Sequence, residues 1–412
     1  MSDPLPEVLP ERMEQLVTDL GRIGAQPGGG LVRFAYDDAW RAANALVARW
    51  MSEAGLQVRT DAVGNVFGRL PGTEGGPTVL TGSHIDTVRH GGAYDGALGV
   101  LAGLAALEAL VRTCGRPRKP LEVVALCEEE SSRFAADFLG SRAMLGTIGP
   151  NEPDTLRDAD GCTLADAMRG AGLDPGAIPT ARRTDVGAFV ELHIEQGRVL
   201  YDEGTRIGVV SAITGLHWLD VTVTGRADHA GTTPMDLRLD AMQGAAEMTG
   251  AVTALVEAEG RPAVATCGMW QVLPGGVNIV PEQVRFSIDL RHPDEATLRR
   301  LAGRIRDECA RIATRRELRV ALDDTKAVPP APMDDRLQGL IGQAAEEHAV
   351  AARPIPSGAG HDSQMWAPHV PTAMLFVPSV DGRSHCPEEF TSARDCAVGA
   401  SVLASTLREL AY

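Results

Sequence analysis

Apolar runs of strand length alternate with helix-patterned stretches through the first half of the chain, and this alternation restricts the fold more than any other feature. Thr78–Thr81 reads as a buried strand, Gly96–Val111 as a helix, and Leu121–Cys127 (LEVVALC) and Ala188–Leu192 as further strands. Pro371–Val377 (PTAMLFV) is another, far along the chain. Strands alternating with helices imply an α/β fold with a mostly parallel sheet flanked by helices.

The middle of the chain has a different period. His217–Thr224 (HWLDVTVT), Ala263–Val272 and Gln283–Arg291 alternate apolar and polar residues. Helical stretches separate them at about Leu237–Glu257 and Glu295–Thr314, and Leu318–Leu322 is a last strand. The order β-α-β-β-α-β is that of a ferredoxin-like α+β sandwich. The expected organisation is a catalytic domain in two parts, residues 1–211 and 327–412, interrupted by an inserted domain at residues 212–326. A length of 412 residues suits two cores better than one.

Composition narrows the class. The formal net charge of -16 excludes a general nucleic-acid binder, which needs a basic surface. The N-terminus shows no basic flank followed by an apolar stretch. The most apolar stretch, Val100–Val111, is too short to span a bilayer and contains Glu108. Seven cysteines without paired spacing suit a reducing compartment. A soluble cytoplasmic protein with neither a nucleic-acid nor a membrane partner is expected.

The chemistry gathers where strands end. His84, in GSHIDTV, follows a strand, with Asp86 two positions on as an acceptor for its second ring nitrogen. Asp95, in GGAYDG, sits where a glycine-rich loop enters a helix; alone it reads as an ordinary helix cap. Glu128, Glu129 and Glu130 follow LEVVALC directly. Three carboxylates at the end of a buried strand repel one another unless a cation or a shared proton compensates. His193 ends another strand, and His385 lies in the loop after PTAMLFV. Ligands of open α/β sheets bind at the edge formed by C-terminal strand ends. Imidazoles and carboxylates converging there suit zinc, manganese or cobalt.

Together the motifs GSHIDTV, GGAYDG, EEESSRF, HIEQG, DHAGTTPM, SGAGHDS and GRSHCPEE resemble the hydantoinase/carbamoylase amidohydrolases. This is a branch of the cocatalytic zinc aminopeptidase/deacetylase family that holds N-carbamoyl-L-amino acid hydrolases, β-ureidopropionases and allantoate amidohydrolases. The resemblance runs from about Val79 to Thr391 and departs at Ser131, where the branch more often has glycine. It implies that His84, Asp95, Glu130, His193 and His385 bind two divalent ions (zinc, manganese, cobalt or nickel), with Asp95 bridging and Glu129 as general base. It implies substrate contacts from Gln196, His229, Asn278, Arg291 and Gly360, with His229 also catalytic. Asp86 and His361 would support the ligands. The small domain would form a homodimer and act as a lid, with His229 completing a site in the partner subunit.

The expected activity is hydrolysis of the carbamoyl C–N bond of N-carbamoyl-L-amino acids to amino acid, carbon dioxide and ammonia. Allantoate or β-ureidopropionate hydrolysis is the main alternative. A peptidase or deacylase of the same superfamily and a catalytically dead dimeric scaffold are remoter ones. On spacing alone, Arg291 reads as an exposed arginine paired with a nearby carboxylate.

Overall fold

The computed structural model describes residues 4–412. Residues 1–3, where the N-terminal stretch weighed above begins, lie outside the described residues. In chain order the strands are β1 (Gln57–Thr60), β2 (Val66–Leu70), β3 (Thr78–His84), β4 (Leu121–Leu126), β5 (Val186–Ile194), β6 (Ile207–Ile213) and β7 (Gly215–Thr224). They continue as β8 (Val264–Thr266), β9 (Trp270–Leu273), β10 (Gln283–His292), β11 (Arg319–Val328), β12 (Ala331–Pro332), β13 (Ala352–Ser357) and β14 (Thr372–Val377).

One sheet has the order β1-β2-β4-β3-β5-β14-β6-β12, with β13 also pairing β6. Its centre is the parallel sheet expected from the alternation: β3 pairs in parallel with β4 and β5, and β5 with β14. The flanking pairs β1–β2, β2–β4, β14–β6 and β6–β12 are antiparallel. Both faces are covered, which is why LEVVAL is buried at every position and its one charged residue, Glu122, is paired with Arg69 and Arg183. Val123 and Ala125 point into a core with helices Ala97–Cys114 and Ala393–Ala411. Val124 and Leu126 point into a second core with Phe67, Phe189 and Trp366. Helix Ala97–Cys114 is longer than its apolar stretch suggested. At 18 residues it meets the length and apolarity of a membrane span, but 72% of it is buried inside the protein. Its apolar faces serve the core.

The chain divides into two compact units. One comprises Met1–Ser211, Met333–Ile355 and His361–Tyr412; the other comprises Ala212–Pro332 and Pro356–Gly360. The second unit holds an antiparallel sheet, β11-β7-β10-β8, with β9 also on β10. Helices Ala241–Glu259 and Glu295–Arg315 pack on it, burying Leu219, Val221, Met248, Phe286, Leu301 and Ile305. Asp240 and Asp294 start these helices by accepting main-chain N–H groups of Met242 and Thr297. The single strand expected over Ala263–Val272 is two. β8 pairs with Asp289–Arg291 and β9 with Gln283–Phe286 of β10. Between them Met269 exchanges hydrogen bonds with Ser287, its N–H donating to the hydroxyl and its carbonyl accepting the N–H.

Candidate metal centre

The parallel strands deliver their C-terminal ends to one place in the first unit. His84 is the last residue of β3 and His193 the next to last of β5. Glu129 and Glu130 come three and four residues after the end of β4. Between Leu126 and Glu130 the chain turns sharply, with Glu128 at φ 54°. Ser131 follows at φ 52°. That is the left-handed region in which glycine is unstrained, which gives a physical reason for the glycine of the branch at this position. Here the Ser131 hydroxyl accepts the N–H of Asp137 at 2.9 Å.

Asp95 does not cap its helix. The cap position is Gly96, at φ 61°, and no side chain closes that helix end. The Asp95 carboxylate lies between two groups instead. Its Oδ1 is 3.2 Å from His193 Nε2 and 3.8 Å from His84 Nε2. Its Oδ2 is 3.1 Å from His385 Nε2, which is 3.5 Å from Glu130 Oε1. Two trios with metal-ligand spacing therefore share this residue: His84, Asp95 and His193, and Asp95, Glu130 and His385. A third, His84, Glu129 and Glu130, overlaps them, with Glu129 Oε2 at 3.6 Å from His84 Nε2.

The histidines are aimed. Nδ1 of His84 donates to the main-chain carbonyl of Asp86 at 3.0 Å, and Nδ1 of His193 to that of Ile194 at 2.9 Å. Each turns Nε2 toward the cluster as an acceptor, and that of His193 takes the N–H of Gly96 at 3.1 Å. Asp86 thus supports His84 through its backbone; its carboxylate is 3.8 Å away and instead accepts the N–H of Glu130 at 3.1 Å. His361 joins no trio. It is buried, and its ring packs against that of His193 with centroids 4.4 Å apart.

Electrostatics say what the cluster lacks. Burial, then the neighbouring charges of Glu130 and Asp362, push the Glu129 carboxyl well above its ordinary range. Burial and Asp95 push Glu130 up to about 8. Burial opposes ionisation of Asp95 too, yet the close approach of His193 and His385 holds it well below the usual range. Oε1 of Glu130 is buried without a hydrogen-bond partner. A buried acceptor with no donor, among carboxylates that repel, is relieved by a cation. Nitrogen and oxygen donors at these spacings fit divalent zinc, manganese, cobalt or nickel.

Gln196 lies at the same place and donates from Nε2 to Asp95 Oδ2 at 2.8 Å. The remaining implied substrate residues, His229, Asn278, Arg291 and Gly360, belong to the second unit. His229 is exposed, and its Nδ1 accepts the N–H groups of Gly231 at 3.1 Å and Thr232 at 3.2 Å. Its proton therefore sits on Nε2, as a donor turned outward. The carbonyl of Asn278 accepts the N–H of Ala230, joining the two loops. Arg291 does have a carboxylate partner, Asp289, which takes its Nε and Nη2 at 3.0 and 2.7 Å. Its Nη1 donates to Gly358 O at 2.8 Å. One hydrogen on each Nη remains.

Sequence reasoning missed Ser384 and Glu389. Ser384 Oγ is 2.9 Å from Asp95 Oδ2 and 2.8 Å from Glu389 Oε2. Glu389 is 5% exposed, whereas its neighbour Glu388 is exposed and pairs with Arg383. Both lie in GRSHCPEE, and nothing local separates the two glutamates.

A model of peptidase family M20/M25/M40 matches residues 80–409. The N-carbamoyl-L-amino acid amidohydrolase of Geobacillus stearothermophilus is 42% identical over 97% of this chain and 98% of its own. The allantoate amidohydrolase of Bacillus subtilis (strain 168) is 41% identical over 95% of this chain and 96% of its own. A solved hydantoinase/carbamoylase family amidase from Burkholderia ambifaria superposes with a TM-score of 0.93 at 38% identity, covering 99% of each chain. The chain belongs to peptidase family M20/M25/M40, in its hydantoinase/carbamoylase branch. It is a hydrolase of C–N bonds, an amidohydrolase, in a metal-dependent family.

Proposed function

We propose that this protein hydrolyses the carbamoyl C–N bond of N-carbamoyl-L-amino acids, using two divalent ions that share Asp95. The observation that carries the reading is the division of the Asp95 carboxylate, with one oxygen toward His84 and His193 and the other toward His385. The substrate class rests on the activity named for the Geobacillus relative. Allantoate, named for the Bacillus relative, also carries a ureido group and a carboxylate and would call on the same residues.

Bound at the two trios, the ions supply Lewis acidity toward the ureido carbonyl and toward water. Glu129 takes a proton from the attacking water and returns it to the leaving nitrogen. The outward Nε2–H of His229 donates to the oxyanion of the tetrahedral intermediate, a contribution of roughly 3–4 kcal/mol for one good donor. Arg291 offers its two remaining hydrogens to the substrate carboxylate, Asn278 and Gly360 assist, and Gln196 contributes from the metal centre. The amino acid leaves, and the carbamate decomposes to carbon dioxide and ammonia. A homodimer in which the second unit closes on substrate, with His229 serving the partner's site, is part of this reading. Cytoplasmic residence is the matching expectation for seven cysteines without paired spacing.

The test is product release by metal-loaded enzyme: ammonia from N-carbamoyl-L-amino acids, N-carbamoyl-β-alanine and allantoate, and acetate from an N-acetyl amino acid. Preferred release from N-carbamoyl-L-amino acids is expected. Release from allantoate alone transfers the assignment to that substrate, and turnover of the acetyl compound alone overturns the ureido reading.

A further inference from the structure

Glu389 is a buried carboxylate with no part in the chemistry described so far. Its Oε1 accepts the main-chain N–H groups of Tyr94 and Asp95, each at 2.9 Å. Its Oε2 is bonded to the hydroxyl of Ser384, which reaches on to Asp95 Oδ2. One side chain thus holds the backbone at Asp95, touches the Asp95 carboxylate through Ser384, and anchors the loop that carries His385. The two segments lie 294 residues apart in sequence. Gly92 makes the reach possible: a Cβ there would lie 2.1 Å from Glu389 Oε1 and 2.3 Å from its Cδ. Gly92 of GGAYDG and the second glutamate of GRSHCPEE are two halves of one contact.

The two trios depend on this contact unequally. His84 and His193 stand on β3 and β5, and main-chain carbonyls orient both rings. His385 stands on a loop, at φ 55°, with half of its side chain exposed. Its position relative to Asp95 is set by the segment Ser384–Glu389. We infer that Glu389 is a positioning residue that brings Asp95 and His385 into register and so sustains ion binding at the trio Asp95, Glu130 and His385 selectively.

This rests on the two-ion reading above. A buried carboxylate that merely stabilises the fold would not discriminate between the two ions, so the readout is ion binding rather than activity. Full-length wild type, Glu389→Ala, Glu389→Gln and Ser384→Ala are titrated with cobalt(II) by equilibrium dialysis. Outer partners of metal ligands typically contribute 10–100-fold in affinity. The expected result is two equivalents in wild type and, in Glu389→Ala, one ion weakened by about 10–100-fold with the other unchanged. Glu389→Gln should recover most of that loss, because its amide oxygen still accepts both N–H groups and its NH2 donates to Ser384. Ser384→Ala, which leaves the two backbone bonds intact, should weaken the same ion by a smaller factor and decides the matter if Glu389→Ala does not fold. Unchanged binding of both ions in the alanine variants, or equal loss of both, overturns the inference. A wild type that binds a single ion refutes the two-ion reading instead. In that case Glu389 is tested on that ion's affinity, and an unchanged value in Glu389→Ala refutes the positioning role as well.

Discussion

Glu129 and Glu130 are adjacent in sequence and stand differently toward the cluster. Glu130 belongs with Asp95 and His385, whereas Glu129 enters only the overlapping trio with His84 and Glu130, its Oε2 3.6 Å from His84 Nε2. A residue beside the cluster, with its carboxyl pushed upward by burial and by Glu130, suits proton transfer better than ligation. Glu129→Gln should therefore retain its metal content by elemental analysis while ammonia release falls about 10²–10⁴-fold. Near-normal turnover would remove Glu129 from the chemistry. At this scale the candidate ligands are legible in the sequence because each follows an apolar strand or a glycine-rich turn, where a charged or imidazole side chain has few ordinary reasons to be. Glu389 is not legible, since its burial depends on Gly92 and Tyr94, nearly three hundred residues earlier. The pairing of Arg291 with a carboxylate is legible as a possibility. That Asp289 and Gly358 leave one hydrogen on each Nη is a matter of geometry.

Among the elements, helix Ala97–Cys114 and strand β3 meet most closely at Gly96. A Cβ at this position would lie 2.2 to 2.3 Å from three atoms of the His84 ring, and φ is 61°. Gly96→Ala should cost about 1–3 kcal/mol in backbone conformation alone and should also displace His84. Metal analysis should then show reduced loading, and the denaturant midpoint should fall. Full loading at an unchanged midpoint would mean that the helix start relaxes away from the ring. Strands β3, β4, β5 and β14 are legible because burial on both faces favours predominantly apolar runs, in which polar residues such as Glu122 and Glu191 are the exception. β1 is not, since Gln57–Thr60 is exposed at all four positions and lacks any alternation. The break between β8 and β9 also escapes a periodicity reading, because the residues on either side keep a strand pattern and pair with the same neighbour.

For the molecule as a whole, five candidate ligands from β3, β5 and three loops are held only by the folded chain, so any ion bound there stabilises the native state. Each ion present at a hundredfold excess over its Kd adds about 2.7 kcal/mol. Dialysis against a chelator should lower the melting temperature by several degrees, and zinc or manganese should restore it. An unchanged melting curve would mean that no ion occupies the centre in solution. The unit division is only partly a matter of sequence pattern: the change of period marks the second unit, but its short segment Pro356–Gly360 is placed there by contacts such as that of Arg291 with Gly358. The sheet order has a consequence for assembly. β14 is the parallel neighbour of β5, yet the whole segment from β6 to β13 is synthesised between them. β5 therefore emerges with one edge unpaired and waits for a partner nearly two hundred residues later, a closure of high contact order. The second unit, whose strands are close in sequence, can condense during that wait. His193 on β5 and His385 beyond β14 then come together late, so refolding should regain bulk secondary structure before it regains the capacity to hold an ion.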